Sequence, residues 1–286
     1  MATSAPIGDE FSTADPYYRY RSEEEIRMSA VLSRDGTTVA FDRSGSGPAV
    51  VLVDGAMCSR TSGPMPALAR ELAPSCAVYT YDRRGRGDSG DTAPYAVARE
   101  VEDLAAVIEE AGGSAYVYGI SSGAALALEA AASGLPIIKL ALYDPAFTAE
   151  AGDPQEKKAY SHRLGELLAA GRRGDAVELF LTTVGVPPQA VAAMRQQPVW
   201  ALSEAIAPTL GYDDAVLGDG TVPREKAARV AVPVLVLDGE ASPAPLRHAS
   251  TATAEALPHG RHQTLSGQGH DVAPEALAPV LREFFR

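Results

Sequence analysis

The chain has 286 residues, of which 46% are hydrophobic and 22% are charged, as in an ordinary soluble globular protein. Its 25 basic and 37 acidic residues give a formal net charge of −12, which argues against an extended nucleic-acid-binding surface. No apolar run approaches the roughly 20 residues that cross a bilayer, and the first residues lack the pattern of a secretory signal. We therefore expect a cytoplasmic protein, monomeric or homodimeric, that acts on a small molecule and contacts neither nucleic acid nor membrane.

Taken in chain order, the first 28 residues are polar and lack periodicity, so residues 1–28 are expected to form an N-terminal extension. Asp35-Gly36 then predicts a hairpin turn between two strands. Short apolar runs farther along predict strands buried on both faces, and amphipathic patterns predict helices. The strands are expected at 49–53, 77–81, 114–118, 138–143, 232–237 and 262–265, and the helices at 66–72, 98–111 and 274–285.

The strand pattern stops between residues 147 and 229, where only helical patterns occur. Strands that alternate with helices predict a mostly parallel sheet with helices on both of its faces. An all-helical insert between two strands of such a sheet predicts a cap over its C-terminal edge. The expected organisation is therefore a core of residues 29–146 and 230–286 with a helical cap of residues 147–229.

The motif GISSG, at residues 119–123, follows a β-prone run and precedes an alanine-rich helical run. This is the setting of a nucleophile elbow, in which a strained turn exposes a serine hydroxyl above the strand ends. The two glycines lack Cβ atoms, so strand and helix can approach closely. Free N–H groups at the start of the helix can stabilise an oxyanion. The motif therefore predicts that Ser121 is a nucleophile.

From these segments, residues 30–286 resemble the α/β-hydrolase fold superfamily. The matching segments stand in the family's order, and they are VDGAM (53–57), YDRRGRGDSG (81–90), GISSG, the helical insert, LVLDGEASP (235–243) and GQGHD (267–271). The likeness is to capped members that act on small substrates, such as esterases, C–C hydrolases and proline iminopeptidase-like enzymes. It implies a mostly parallel eight-stranded sheet with helices on both faces and a helical cap inserted after the sixth strand.

The resemblance implies roles for single residues. His270 would be the base that activates Ser121, since it lies in a glycine-rich loop beyond the last predicted strand, where the family places this residue. The oxyanion hole would use the backbone N–H of Ser122 and that of Ala56. Many relatives carry His-Gly before the second donor, whereas this chain has Asp54-Gly55, which keeps the backbone donor and loses any contact of the histidine.

The acid of the predicted triad departs from the common pattern. Relatives often place an aspartate three residues after the glycine of the loop that follows the cap, and from Gly239 that count reaches Ser242. A second location known in this fold is the end of the strand before the cap, and there we predict Asp144 as the acid. A proline follows it, which predicts an extended backbone at this residue. Asp238, Glu240 or a water molecule in place of an acid remain alternatives.

Apolar and sulfur-containing residues near the predicted loops and in the cap could line a substrate pocket, although packing explains them equally well. They are Met57, Cys58, Met194, Trp200 and Tyr212. The arginines at 83, 84 and 86 suggest a phosphate site, but the matching loop of relatives is structural, so a structural role is expected. No metal-site or nucleotide-binding motif occurs, and we expect no metal and no cofactor.

Together these patterns predict a serine hydrolase that cleaves a small or medium ester, lactone or thioester through an acyl-enzyme. Two alternatives remain open. One is a non-hydrolytic enzyme of this fold, such as a lyase, cyclase or epimerase of a natural-product pathway. The other is a catalytically inert ligand-binding relative, because fold alone does not decide activity.

Overall fold

The computed structural model describes residues 29–148 and 154–286. The expected N-terminal extension, residues 1–28, lies outside the described residues. None of the helices described is both long and apolar enough to span a membrane.

The described strands form a single sheet. Their bounds are β1 Ser29–Leu32, β2 Thr38–Ser44, β3 Ala49–Val53, β4 Ala77–Tyr81, β5 Ala115–Ile120, β6 Ile137–Tyr143, β7 Val234–Gly239 and β8 Gly260–Leu265. They lie in the order β1-β2-β4-β3-β5-β6-β7-β8. The pairs β1–β2 and β2–β4 are antiparallel and the remaining pairs are parallel, as the sequence predicts. The C-terminal ends of β3 and β5–β8 therefore meet at one edge.

Helices cover both faces of the sheet. The core helices are α1 Met65–Leu72, α2 Val97–Glu110, α3 Ser122–Ala132, α10 Ala244–Ala256 and α11 Pro274–Phe285. Helices α1 and α11 pack on one face, while α2, α3 and α10 pack on the other. Successive side chains of a strand point to opposite faces, so Val50 and Leu52 enter one buried cluster and Val51 and Val53 enter the other. That is why these strands read as continuous apolar runs.

The described part of the segment between β6 and β7 is helical. It contains α4 Pro154–Ala169, α5 Arg173–Thr183, α6 Pro188–Met194, α7 Trp200–Ile206, a 3₁₀ turn at Ala207–Thr209, α8 Leu210–Leu217 and α9 Arg224–Ala227. Helices α4 and α5 pack together, and both contact α8. Helix α8 in turn lies against α3, which begins immediately after Ser121, the first serine of GISSG. The predicted helical insert is thus present, and α8 connects it to the elbow.

Candidate active site

The turn between β5 and α3 has the geometry of a nucleophile elbow. Ser121 lies there with φ 56° and ψ −125°, a backbone conformation that non-glycine residues rarely adopt. A Cβ at Gly119 would lie 2.9 Å from the Cα of Ala124, and a Cβ at Gly123 would overlap the carbonyl oxygen of Val53. Both glycines are therefore required by the close approach of β3, β5 and α3, and Ser121 lies half-buried at the tip of the turn between them.

Backbone strain in the described residues is concentrated at this edge. Within 29–148 and 154–286, the non-glycine residues with positive φ are Met57 (62°), Ser121 (56°) and Asp144 (42°). Strained residues of this kind cluster at functional sites, where the surrounding structure holds them. The extended backbone predicted for Asp144 is wrong. Its N–H donates to Leu237 O at 2.9 Å, so pairing with β7 outweighs the preference imposed by the following proline.

The carboxylate of Asp144 contacts the predicted base. Its Oδ2 lies 3.0 Å from Nδ1 of His270, and the residue is fully buried. The same oxygen accepts a hydrogen bond from Ser242 Oγ at 2.6 Å. The hydroxyl at the position where relatives often carry an aspartate therefore binds the carboxylate of Asp144, the predicted acid. With Nδ1 facing a carboxylate, Nε2 of the imidazole is the nitrogen left for proton transfer.

Two further contacts hold the His270 loop beside the elbow. The hydroxyl of Tyr143 donates to the carbonyl of Gly269 at 2.6 Å, one residue before the imidazole. The backbone N–H of Ser121 donates to the carbonyl of Tyr143 at 3.0 Å. In the part of the chain that the structure describes, Ser121 Oγ forms no hydrogen bond, with His270 or with any other group. Hydrogen bonds between catalytic groups often tighten only when substrate is bound.

The alternative acids lie elsewhere. Asp238 is buried, and its Oδ2 lies 2.8 Å from Nε2 of His262 on the neighbouring strand. Glu240 is exposed and accepts hydrogen bonds from Ser266 Oγ at 2.8 Å and from the N–H of Gly267 at 2.9 Å. Neither carboxylate contacts His270, and the contacts of Asp144 favour it over both.

The loop after β3, residues 54–58, is termed the oxyanion loop below. A Cβ added at Gly55 would lie 3.2 Å from the Cβ of Ser121 and 3.7 Å from its Oγ, so the backbone of the loop lies directly against the elbow. Ala56 follows, and Ser122 is the first residue of α3, where its N–H needs no partner within the helix. The residues that carry the two predicted donors are thus neighbours, in the chain, of Gly55 and of Ser121, which lie against each other.

Asp54 carries a carboxyl group that is buried beside this loop. Its Oδ1 accepts a hydrogen bond from the Gly55 N–H at 3.2 Å, while Oδ2 is buried without a described partner. Burial raises the pKa of Asp54 to about 7, against the opposing effects of Arg86, the Gly55 N–H, Cys58 and Arg83. Burial, with the charge of Asp54 second, raises the pKa of the Cys58 thiol to about 12. The thiol is therefore not a thiolate nucleophile near neutral pH.

The three arginines form buried ion pairs, which agrees with the structural role predicted for them. Each guanidinium has a carboxylate within 2.8 Å, and the pairs are Arg83 with Glu100, Arg84 with Asp103 and Arg86 with Asp213. Sequence reasoning did not identify Asp213, because nothing in the sequence marks these arginines as buried or shows which distant carboxylates pair with them. It lies on α8 and also binds Arg83 Nη1 at 2.6 Å and Ser122 Oγ at 2.7 Å.

The predicted pocket residues separate into two groups. Met57 packs against the helical insert in two apolar clusters, one of which includes Trp200. Cys58, the next residue of the oxyanion loop, is half-buried. Met194 is 41% exposed on the surface of the insert. Tyr212 stacks on Tyr95 with ring centroids 3.8 Å apart, and its hydroxyl donates to Asp91. Met57 and Trp200 thus lie where the helical insert meets the oxyanion loop, whereas Tyr212 contacts Tyr95 and Asp91 instead.

Comparison with known proteins finds a match to one family model and to solved structures. Residues 44–282 match the model described as alpha/beta hydrolase family. The solved structure of an alpha/beta hydrolase from Sphaerobacter thermophilus DSM 20745 is 54% identical, with a TM-score of 0.82 over 90% of this chain and 100% of that one. No match was found among curated proteins.

Two more distant structures share the fold. A thermophilic esterase from Thermogutta terrifontis is 22% identical, with a TM-score of 0.70 over 91% of this chain and 98% of that one. The enol-lactonase from Burkholderia xenovorans LB400 is 20% identical, with a TM-score of 0.64 over 90% of this chain and 99% of that one. At these identities the likeness shows the fold alone.

Proposed function

The chain belongs to the alpha/beta hydrolase family, and we propose that it is a serine hydrolase acting through an acyl-enzyme on small or medium esters, lactones or thioesters. The observation that carries this proposal is the contact of Asp144 Oδ2 with His270 Nδ1 at 3.0 Å, beside the strained elbow that presents Ser121. A carboxylate that orients an imidazole next to a serine at the tip of a nucleophile elbow is the arrangement of a catalytic triad.

In the proposed reaction, Nε2 of His270 takes the proton of Ser121 Oγ as the oxygen attacks the carbonyl carbon of the substrate. The imidazolium is stabilised by Asp144 and then protonates the leaving alkoxide or thiolate as the bond to the acyl carbon breaks. A water molecule then attacks the acyl carbon while Nε2 takes one of its protons. The imidazolium returns this proton to Ser121 Oγ as the bond between the acyl carbon and the serine oxygen breaks, which releases the acid and the free serine.

The oxyanion of each tetrahedral intermediate would bind between the N–H groups of Ala56 and Ser122. Removing one such donor in comparable enzymes costs about 3 kcal/mol of transition-state stabilisation. The close contact between Gly55 and Ser121 supports this assignment, because it brings the oxyanion loop next to the attacking oxygen. Asp54, which stands where many relatives have a histidine, leaves both backbone donors in place.

The substrate class rests on the surroundings of the elbow. Ala56 and Met57 pack against apolar residues of α4, α5 and α8, so the acyl or alcohol group would meet a largely hydrocarbon surface. Esterase and enol-lactonase folds among the structural neighbours are consistent with oxygen esters as substrates. We therefore propose an uncharged, mainly apolar substrate rather than a phosphate-bearing one, since the nearby arginines are already paired with carboxylates.

A serine-directed fluorophosphonate tests the proposal. The wild-type protein is expected to be labelled at residue 121 and to hydrolyse short-chain p-nitrophenyl esters, and Ser121→Ala should abolish both. Ser89→Ala is the matched control, since this serine bonds to the backbone of Asp82 and Ala40 away from the elbow. A folded wild-type protein that is neither labelled nor active on the ester panel would contradict the proposal and favour non-hydrolytic chemistry or ligand binding.

A further inference from the structure

The carboxylate of Asp213 connects the cap to the core directly below the proposed oxyanion hole. Asp213 lies on α8 and is 4% exposed. Its Oδ1 accepts hydrogen bonds from Ser122 Oγ at 2.7 Å and Arg83 Nη1 at 2.6 Å, and its Oδ2 accepts one from Arg86 Nη2 at 2.7 Å. All three donors belong to the core, so one cap side chain binds the elbow helix and the loop after β4 together.

Through Arg86, this contact reaches the oxyanion loop. The second amino group of the guanidinium, Nη1, donates to the carbonyl of Gly55 at 2.5 Å. That carbonyl and the N–H of Ala56 belong to the same planar peptide unit, in which they point in opposite directions. Holding the Gly55 oxygen therefore fixes the direction of the Ala56 N–H, which is one of the two proposed oxyanion donors.

The other proposed donor is held from its own side chain. The hydroxyl of Ser122 donates a hydrogen bond to Asp213, and its backbone N–H is the first of α3. Rotation or withdrawal of this residue would move both groups together. Asp213 thus accepts a hydrogen bond from Ser122, the residue that carries one proposed donor. It also binds Arg86, which in turn binds the peptide that carries the other donor, the N–H of Ala56.

Charge makes this arrangement depend on Asp213. Glu100 forms two hydrogen bonds with Arg83, at 2.7 and 2.8 Å, so that guanidinium keeps a carboxylate if Asp213 is neutralised. The other hydrogen-bond partners of Arg86 in the described chain are neutral, namely Gly55 O, Cys58 O and Thr209 Oγ1. The carboxyl group of Asp54 is close enough to feel the charge of Arg86 but forms no hydrogen bond with it. Although burial opposes ionisation, Arg86, Arg83 and Ser122 keep the pKa of Asp213 below its ordinary value. Asp213 therefore remains charged and fixes Arg86.

Resting on the proposed function, we propose that Asp213 is a positioning residue through which the cap holds both oxyanion N–H donors in the orientation that binds the oxyanion. Catalysis then requires the cap to be packed against the core, because the carboxylate that orients the two donors comes from the cap. The expected signature is a loss in kcat with little change in KM, since oxyanion donors act mainly on the transition state.

The test compares Asp213→Asn with Asp103→Asn. Both variants remove a buried carboxylate that binds an arginine, but Asp103 binds Arg84, which does not contact the oxyanion loop or α3. Asp213→Asn is expected to lower kcat by about 10- to 100-fold, below the loss for a deleted donor, with KM within about threefold. Asp103→Asn should leave both constants within about threefold while losing comparable stability in urea.

A second variant covers the case in which Asp213→Asn does not fold. Ser122→Ala keeps the backbone donor and removes only the hydroxyl that reaches Asp213. We expect kcat and the rate of fluorophosphonate labelling to fall several-fold with KM unchanged, whereas Ser89→Ala should change neither rate.

The inference is overturned if a folded Asp213→Asn or Ser122→Ala protein keeps the kcat of its control. It is also overturned if KM rises while kcat is unchanged, since Asp213 would then shape the substrate site instead. Failure of the proposed function gives a different result, because a folded wild-type protein would then show neither ester hydrolysis nor labelling before any variant is compared.

Discussion

Two aspartate–histidine pairs lie at adjacent strand ends of the sheet, and they differ in what lies next to them. Asp144 and His270 are 3.0 Å apart at the end of β6, beside the elbow. Asp238 and His262 are 2.8 Å apart across β7 and β8, with the histidine within a strand. Both aspartates are buried. Of these two pairs, only the first lies beside a serine with the geometry of a nucleophile elbow, so we expect a catalytic role for that pair and a structural role for the other.

Replacing the two histidines gives the largest expected difference. His270→Ala should lower kcat for ester hydrolysis by about 10⁶-fold, the scale of losing the base of a serine triad. His262→Ala should leave kcat within a few-fold, because its loss affects only a contact between strands. Steady-state kinetics on one p-nitrophenyl ester measures both. If kcat fell equally in the two variants, the prediction that only the Asp144–His270 pair is catalytic would be wrong.

The two aspartates provide the next comparison. Asp144→Asn should cost about 10⁴-fold in kcat, because an amide no longer stabilises the imidazolium or holds the tautomer that presents Nε2 as a base. Asp238→Asn should have little effect on kcat. The folded state of each variant is checked by circular dichroism and urea unfolding. A kcat that falls with Asp238→Asn and not with Asp144→Asn would transfer the acid to β7.

A third aspartate, Asp54, lies at the end of β3 without a histidine, and it should affect stability instead. The pKa of Asp54 is raised to about 7 in the folded protein, so the folded state binds more protons than the unfolded state between about pH 4 and 7. Stability from this group is present at low pH and is lost as the pH rises to about 7. Relative to wild type, Asp54→Asn should therefore gain about 3 kcal/mol in unfolding free energy between pH 5 and 8.5.

Asp35→Asn is the control for that measurement. Hydrogen bonds from Thr37, followed by the effect of Arg84, hold the pKa of Asp35 well below its ordinary value. Its stabilising effect is lost only as the pH falls below about 4, so its difference from wild type should stay constant between pH 5 and 8.5. If the Asp54→Asn difference were equally constant, the carboxyl group would be ionised throughout, and another group would have to balance its charge.

The strands and the elbow were predictable because local pattern decides them. Strands β3 and β4 have the predicted bounds, since a strand buried on both faces reads as an uninterrupted apolar run. The elbow was predictable because the two glycines of GISSG permit close backbone contacts and the motif lies between a strand-like run and a helix-like run. The contacts of Asp213 could not be predicted, since its partners Arg83 and Arg86 are 130 and 127 residues away in the chain. Buried ion pairs between distant segments leave no periodic signal.

The sequence predicted that Asp144 would lie beside His270, as it does, but it did not predict the backbone conformation of Asp144. Asp144 followed from the vacant position at Ser242 and from the end of the strand before the cap. The strained backbone did not follow, because the preference imposed by a proline is local, whereas pairing of the Asp144 N–H with β7 depends on the assembled sheet. The hydrogen bond from Ser242 to Asp144 likewise joins residues that are 98 positions apart.

Ser242 gives the smallest and most specific effect. Its hydroxyl donates to Asp144 Oδ2 at 2.6 Å, while Oδ1 of Asp144 is buried without a described partner. Ser242→Ala should therefore loosen the carboxylate that orients His270 and lower kcat by about tenfold, which corresponds to about 1.4 kcal/mol. In an Asp144→Asn background the same substitution should cost much less, because the serine then no longer serves a charged acid. A tenfold loss that is equal in both backgrounds would show that Ser242 acts independently of Asp144, for example through its hydrogen bond with the Gly239 N–H.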